Sequence, residues 1–374
     1  MVSESHERRV TRRGVRAAAS AVVALGIAAA ATAVFGGGDD GPEDPGRAGV
    51  RESASVASAA PSPAPWSGPA TPSATPSPVP RTSGSVPTES PRLYRHPDSQ
   101  VLDWVRAHPG DPRRPVVESR IASRPTAVWF TEYAPGTVTS RVRAVTSAAA
   151  AQDRVPVLVA YAIPDRDCGG ASEGGAPDLD AYDGWIDRFA AGLGSGETVV
   201  ILEPDSIAQA GCLPEGRRAD RFASLARAGR VLKAANPRAR VYYDAGHSGW
   251  NAPEKQAALL RQAGAASADG VFSNVSNFRG TADESAYDRR VLDALGGPPD
   301  LGAVIDTSRN GNGAPRDGQW CDPAGRRIGR APTLDTGEAR IDAYLWVKLP
   351  GESDGCRGAA GEFSPSYAYE LASP

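Results

Sequence analysis

Short runs of β-branched and aromatic residues recur along the C-terminal part of the chain. They lie at Ala127–Phe130, Val155–Tyr161, Thr198–Leu202, Arg240–Tyr243, Gly270–Phe272, Gly302–Ile305 and Ala343–Val347. Turn-forming residues separate them, which reads as strands. Between several of them, apolar residues fall at helical spacing. Leu179–Leu193 aligns Tyr182, Ile186, Phe189 and Leu193, with Gly194 as a stop. Arg217–Ala235 aligns Phe222, Leu225 and Leu232 and ends before Asn236-Pro237. Strands alternating with helices predict a parallel sheet with crossover helices. No dinucleotide fingerprint is present, and Gly311-Asn312-Gly313 lacks the strand–helix setting of a phosphate loop. The expected fold is α/β: a distorted, about seven-stranded parallel β/α barrel, TIM-like.

The polar residues just past these runs carry the candidate chemistry. Aspartates follow the strands at Ile163-Pro164-Asp165-Arg166-Asp167-Cys168, Leu202-Glu203-Pro204-Asp205 and Tyr243-Asp244-Ala245-Gly246-His247. Another lies in Lys348-Leu349-Pro350-Gly351-Glu352-Ser353-Asp354. In parallel βα folds the strand C-termini converge on one face, and that face carries the site. Carboxylates move protons and flat rings cover sugar faces, so the set points to glycosidic bond cleavage.

Each residue also has a plain structural reading. Asp205 would cap the following helix. Asp167 would pair with Arg166 in a glycine-rich turn, and the glycines at 169–175 would otherwise let a lid move. Asp244 would be a buried carboxylate satisfied by backbone. Asp354 sits where turns favour Asp. Glu203 is expected to point toward the interior. Trp129, Trp250 and Trp320 border polar loops, whereas Trp346 lies within an apolar run and reads as core. Lys348 is one of only three lysines among 41 basic residues. A compact ammonium at a strand end fits a hydroxyl or carboxylate contact.

The first 35 residues carry five Arg before an Ala-rich apolar run at 17–35. This reads as an export signal or an N-terminal membrane anchor, with a faint twin-arginine motif at Arg12-Arg13. Residues 36–92 are rich in Pro, Ser, Thr and Ala and read as a disordered linker. Residues 93–374 form the expected catalytic domain. The expected localisation is secreted or extracellular, with a membrane tether as the variant.

Net charge is −3 overall. The first 35 residues hold five Arg and two Glu, +3, so the rest carries −6. A mildly acidic domain argues against nucleic acid as a partner. Four cysteines in an exported chain imply two disulfides in one of three pairings. Cys168–Cys212 with Cys321–Cys356 closes the shortest loops. The spacing does not suit zinc, and no metal or other cofactor is expected.

Together these motifs resemble glycoside hydrolase family 6, cellulases that cleave β-1,4-glucan with inversion. The resemblance runs from Leu93 to the C-terminus. Besides the aspartate motifs it includes Ser273-Asn274-Val275-Ser276-Asn277-Phe278, Asp306-Thr307-Ser308-Arg309-Asn310-Gly311 and Trp320-Cys321. It implies a cleft between two disulfide-clamped loops. Asp205 would be the general acid, and Asp167 would raise its pKa and relay a proton. Asp244 would support the electrostatics, Asp354 would be the disputed base, and Tyr161 would distort the ring at the cleavage point. Trp129, His247, Trp250, Asn277, Trp320, Lys348 and Glu352 would bind successive glucose units. The short Cys321–Cys356 stretch resembles endo-acting members. The expected protein is a monomeric endo-β-1,4-glucanase acting on β-glucan. An exo-acting cellobiohydrolase and a non-catalytic surface glycan-binding protein are the alternatives.

Overall fold

The computed structural model describes residues 92–374. The expected export segment at 1–35 and the linker up to residue 91 lie outside the described residues. Among the described residues, no helix is long and apolar enough to cross a membrane.

Seven parallel strands form the central sheet: β1 (Val128–Phe130), β2 (Val157–Ala160), β3 (Thr198–Leu202), β4 (Ala239–Asp244), β5 (Gly270–Ser273), β6 (Gly302–Asp306) and β7 (Ile341–Leu345). Their spatial order equals their chain order. Each strand therefore pairs with the next, as barrel winding requires and as a doubly wound sheet does not. The sheet curls into a distorted, incomplete barrel. At the seam, two hydrogen bonds stand in for a ladder. The Ala127 N–H donates to the Trp346 carbonyl at 3.0 Å, and the Trp129 indole Nε1–H donates to the Val347 carbonyl at 2.7 Å.

Side-chain alternation divides the core in two. Val157, Val159, Val199, Ile201, Tyr242, Phe272, Val304 and Leu345 pack with one another and fill the lumen. Leu158, Val200, Leu202, Tyr243, Val271 and Ile305 point the other way, toward the surrounding helices. The longer helices are α1 (Gln100–Ala107), α2 (Val138–Ala150), α3 (Leu179–Ala190), α4 (Glu215–Ala235), α5 (Pro253–Gln262), α6 (Thr281–Leu295) and α7 (Pro365–Ala372), of which α2 to α6 pack on this outer face. A third cluster gathers α1 and α7 around Trp346, beside the seam.

Two strand expectations shift. The run Val155–Tyr161 is divided at Pro156. Val155 pairs instead with Leu93 in a two-stranded ribbon, and β2 starts at Val157. Proline has no N–H to give a ladder, so the break falls there. β7 ends at Leu345, so Trp346 lies one residue past the strand, although it is buried as expected.

Candidate active site

The site is built where the chain leaves β2, β3 and β4. Past β3, Glu203 and Asp205 adopt left-handed backbone, φ 51° and 68°. Such conformations persist in non-glycine residues only when their surroundings hold them. Two buried carboxylates do so. Glu203 accepts the backbone N–H groups of Ala162 at 3.0 Å and Ile163 at 3.1 Å, tying its own turn to the exit of β2. Burial pushes its pKa up to about 7 despite those bonds. Asp244, at the end of β4, accepts from Ile207 at 3.0 Å, Ala208 at 2.8 Å and Gly246 at 2.9 Å. Its side chain clamps the turn that follows Asp205.

Asp205 sits between these anchors, half-buried and facing the cleft. Burial raises its pKa well above the usual carboxylate range. The negative charges of Asp244, Asp167 and Asp354 raise it further, in that order. A carboxyl so placed retains its proton where an ordinary aspartate has lost it.

Past β2, Tyr161 is buried, and its ring meets Trp129 edge-on with centroids 5.3 Å apart. Burial first, then Asp205 and Asp167, raises its pKa, so the phenol stays protonated. The Arg166 guanidinium lies over the same ring at 4.6 Å. Asp167 is left-handed, φ 55°, and its Oδ2 accepts the Ser172 N–H at 2.8 Å. A Cβ at Gly170 would stand 2.5 Å from that same Oδ2, so any side chain there must displace the carboxylate. Gly170→Ala is therefore expected to swing the Asp167 carboxylate away and lower kcat by about 10- to 100-fold, the cost of roughly 1 Å misplacement. The Tm should barely move, because the loop is exposed. Unchanged kcat would show that the position of Asp167 does not matter.

On the opposite wall, Asp354 Oδ2 accepts from Arg309 at 2.8 Å and from the Asp322 N–H at 3.1 Å. Its Oδ1 lies 3.8 Å from the Lys348 ammonium. Burial lowers the Lys348 pKa, against the pull of Asp354, and the ammonium donates to the Ser353 carbonyl at 3.1 Å. Glu352 is pushed up to about 7, by burial acting against Lys348. Disulfides join Cys168 to Cys212 and Cys321 to Cys356, the pairing with the shortest loops. One braces the Asp167 loop and the other braces the Asp354 loop.

A cleft of about 980 Å³ runs between these walls. It is lined by Asp205, Asp167, Asp354, Tyr161, Trp129, His247, Trp250, Asn277, Trp320, Lys348 and Glu352. Asp244 stands behind the lining, in the backbone-satisfied position that was its plain structural reading. His247 accepts the Gly249 N–H on Nδ1 at 3.0 Å, and burial followed by Arg279 pushes its pKa down to about 4. The neutral ring therefore carries its proton on Nε2 as a donor. Trp250 and Trp320 are 39% and 62% exposed, open apolar faces along a polar trench. Proton-holding carboxyl, paired carboxylates and open aromatic faces in one trench suit glycoside cleavage.

The family model described as glycosyl hydrolases family 6 matches residues 91–373. This chain belongs to that family. It is a glycoside hydrolase of the cellulase class. Among its relatives, endoglucanase 1 of Streptomyces sp. strain KSM-9 is 52% identical over 292 residues, 78% of this chain and 80% of that protein. Endoglucanase A of Thermobispora bispora is 50% identical over 282 residues, 75% of this chain but only 61% of that protein. Among solved structures, the endoglucanase Cel6 from Mycobacterium tuberculosis, in complex with a methyl-cellobiosyl-thio-cellobioside, is 41% identical with a TM-score of 0.70. That match covers 76% of this chain and 97% of the other.

Several residues that shape this family 6 cleft escaped the sequence reading. Arg309 and Asp322 hold Asp354; Arg309 lies in the Asp306–Gly311 motif but had no role assigned, and Asp322 does not stand out from ordinary loop charges. Gln100 donates to Glu352 at 3.2 Å and to the Gly361 carbonyl at 2.7 Å, a contact across 252 positions that no local pattern announces. Asp306 was inside a quoted motif. Its carboxylate accepts the backbone N–H groups of Ser308 at 2.8 Å and Lys348 at 3.0 Å. An aspartate ending a fully buried strand was the available signal.

Proposed function

We propose that this chain is an exported endo-β-1,4-glucanase that cleaves internal bonds of cellulose or a related β-glucan with inversion. Asp205 acts as the general acid. The observation that carries this is the Asp205 carboxyl, held in the cleft with its pKa raised by burial and by three neighbouring aspartates. It gives its proton to the glycosidic oxygen as the bond to the anomeric carbon breaks. Water attacks the opposite face of the ring and loses a proton to a carboxylate on that side.

Asp167 and Asp354 are the groups placed for that proton. Asp354 Oδ2 is occupied by Arg309 and the Asp322 N–H, which leaves Oδ1 beside Lys348. Asp167 keeps Oδ1 clear of protein partners while Ser172 holds Oδ2. A water relay ending on Asp167 is therefore the favoured route. Tyr161, pressed against Trp129, crowds the ring being cleaved. Trp250 and Trp320 take sugar faces, while His247, Asn277, Lys348 and Glu352 take hydroxyl groups. Endo action is favoured by the relatives: those named endoglucanase reach 52% and 50% identity, whereas exoglucanase-6A of Humicola insolens reaches 31% over 58% of this chain. Two disulfides and the basic, then apolar, N-terminus support export.

Digestion of cellohexaose followed by proton NMR tests the reading. Initial α-anomer and products of mixed length are expected. Initial β-anomer would mean retention, and cellobiose as sole product would mean exo action. Binding without hydrolysis would favour the glycan-binding alternative.

A further inference from the structure

Arg279 follows β5 in the loop Asn274–Arg279, and its backbone is fixed from both sides. Its N–H donates to Asn274 Oδ1 at 2.9 Å, and its carbonyl accepts from Asn274 Nδ2 at 3.2 Å and Asn310 Nδ2 at 2.9 Å. The side chain is half-buried and lines the cleft beside His247, Trp250 and Asn277. Gly249 makes room for it: a Cβ there would lie 2.2 Å from Nη2 and 2.5 Å from Cζ. Among the described residues, its guanidinium has no hydrogen-bond or ion-pair partner; its only bonds are those of the backbone. The other arginine lining the cleft, Arg166, is engaged: it donates to the Ser172 carbonyl at 2.8 Å and to the Thr131 carbonyl at 2.6 Å.

A partly desolvated guanidinium with unfilled donors is costly unless something fills them. Here the open side is the substrate trench. The neighbouring His247 is neutral and offers a single N–H. Arg279 thus brings a rigid, planar fork of donors next to an open indole face. Oxygens on adjacent carbons of a sugar ring present acceptors to match such a fork.

We propose that Arg279 is a substrate-binding residue whose guanidinium donates to two oxygens of the sugar unit lying on Trp250. The proposal rests on the reading of the chain as a β-1,4-glucanase. The fork is held by its fixed backbone and by the space over Gly249. It contributes to holding the glucan before the bond breaks, so its loss falls on KM rather than on kcat.

The test uses the full-length protein and cellohexaose. Arg279→Gln is expected to raise KM about 10- to 100-fold, as for lost charge-assisted hydrogen bonds, with a much smaller change in kcat. Arg279→Lys should recover only part of the loss, because it restores charge without the fork. Gly249→Ala keeps the arginine but displaces its guanidinium, and should raise KM in the same direction. Unchanged KM in Arg279→Gln would overturn the proposal, as would a fall in kcat and Tm with KM unmoved. A wild-type protein that leaves cellohexaose intact would overturn the glucanase reading itself, and is thereby distinguished from a failure confined to Arg279.

Discussion

Asp205→Asn is expected to lower kcat on cellohexaose by about 10²–10⁴-fold, the usual contribution of a general acid. The glucose hydroxyl that leaves needs a proton, and the amide has none to give. With p-nitrophenyl cellobioside the loss should be far smaller, because nitrophenolate leaves unassisted. That contrast separates an acid from a residue that merely shapes the cleft, whose loss would affect both substrates alike. The pH profile carries a second signature. The working form of Asp205 is protonated and its pKa is raised. Wild-type turnover should therefore fall as pH rises through that raised value. The residual activity of Asp205→Asn should lack this alkaline limb. A variant within tenfold of wild type on cellohexaose would remove Asp205 from the acid role.

The raised pKa also shows what was legible in the sequence. Asp205 and its neighbours were visible because strands end in aspartate, and parallel strands bring their C-termini together. The parallel, sequential strand order followed from alternating strands and helices, whereas the division of the core into lumen and helix-facing halves became visible only in the packing. The division of labour among the carboxylates was not legible. Asp244 looks like a catalytic group in the sequence and Glu203 like an inward-pointing one, yet both spend their oxygens on backbone N–H groups of a neighbouring turn. Which way a side chain points after a left-handed residue depends on contacts some 40 positions away. Pro156 is a different case. Its effect on β2 was readable from the missing N–H, but an apolar run on both sides masked it.

Arg309→Met is expected to cost about 3–5 kcal/mol, the penalty for stripping one partner from a buried ion pair. The Arg309 side chain is fully buried and donates to Asp354 at 2.8 Å and to the Tyr367 hydroxyl at 3.3 Å. Its guanidinium also lies over the Phe278 ring at 4.4 Å and 3.9 Å from Asp322. Burial opposes its charge, but Asp354, Tyr367 and Asp306 more than offset this and raise its pKa. The two carboxylates it faces would not suffer equally. Burial raises the Asp322 pKa, but the Ser353 hydroxyl and the N–H groups of Asp354, Cys356 and Arg357 outweigh it. Asp322 thus stays ionised without Arg309, whereas Asp354 would lose its main counter-charge. At roughly 2–4 °C per kcal/mol for a domain of this size, Tm should drop by about 6–20 °C. Adding Asp354→Leu should return part of that stability, since the stranded charge goes with it. A single variant melting within about 2 °C of wild type would mean that water reaches and solvates Asp354 in place of the arginine.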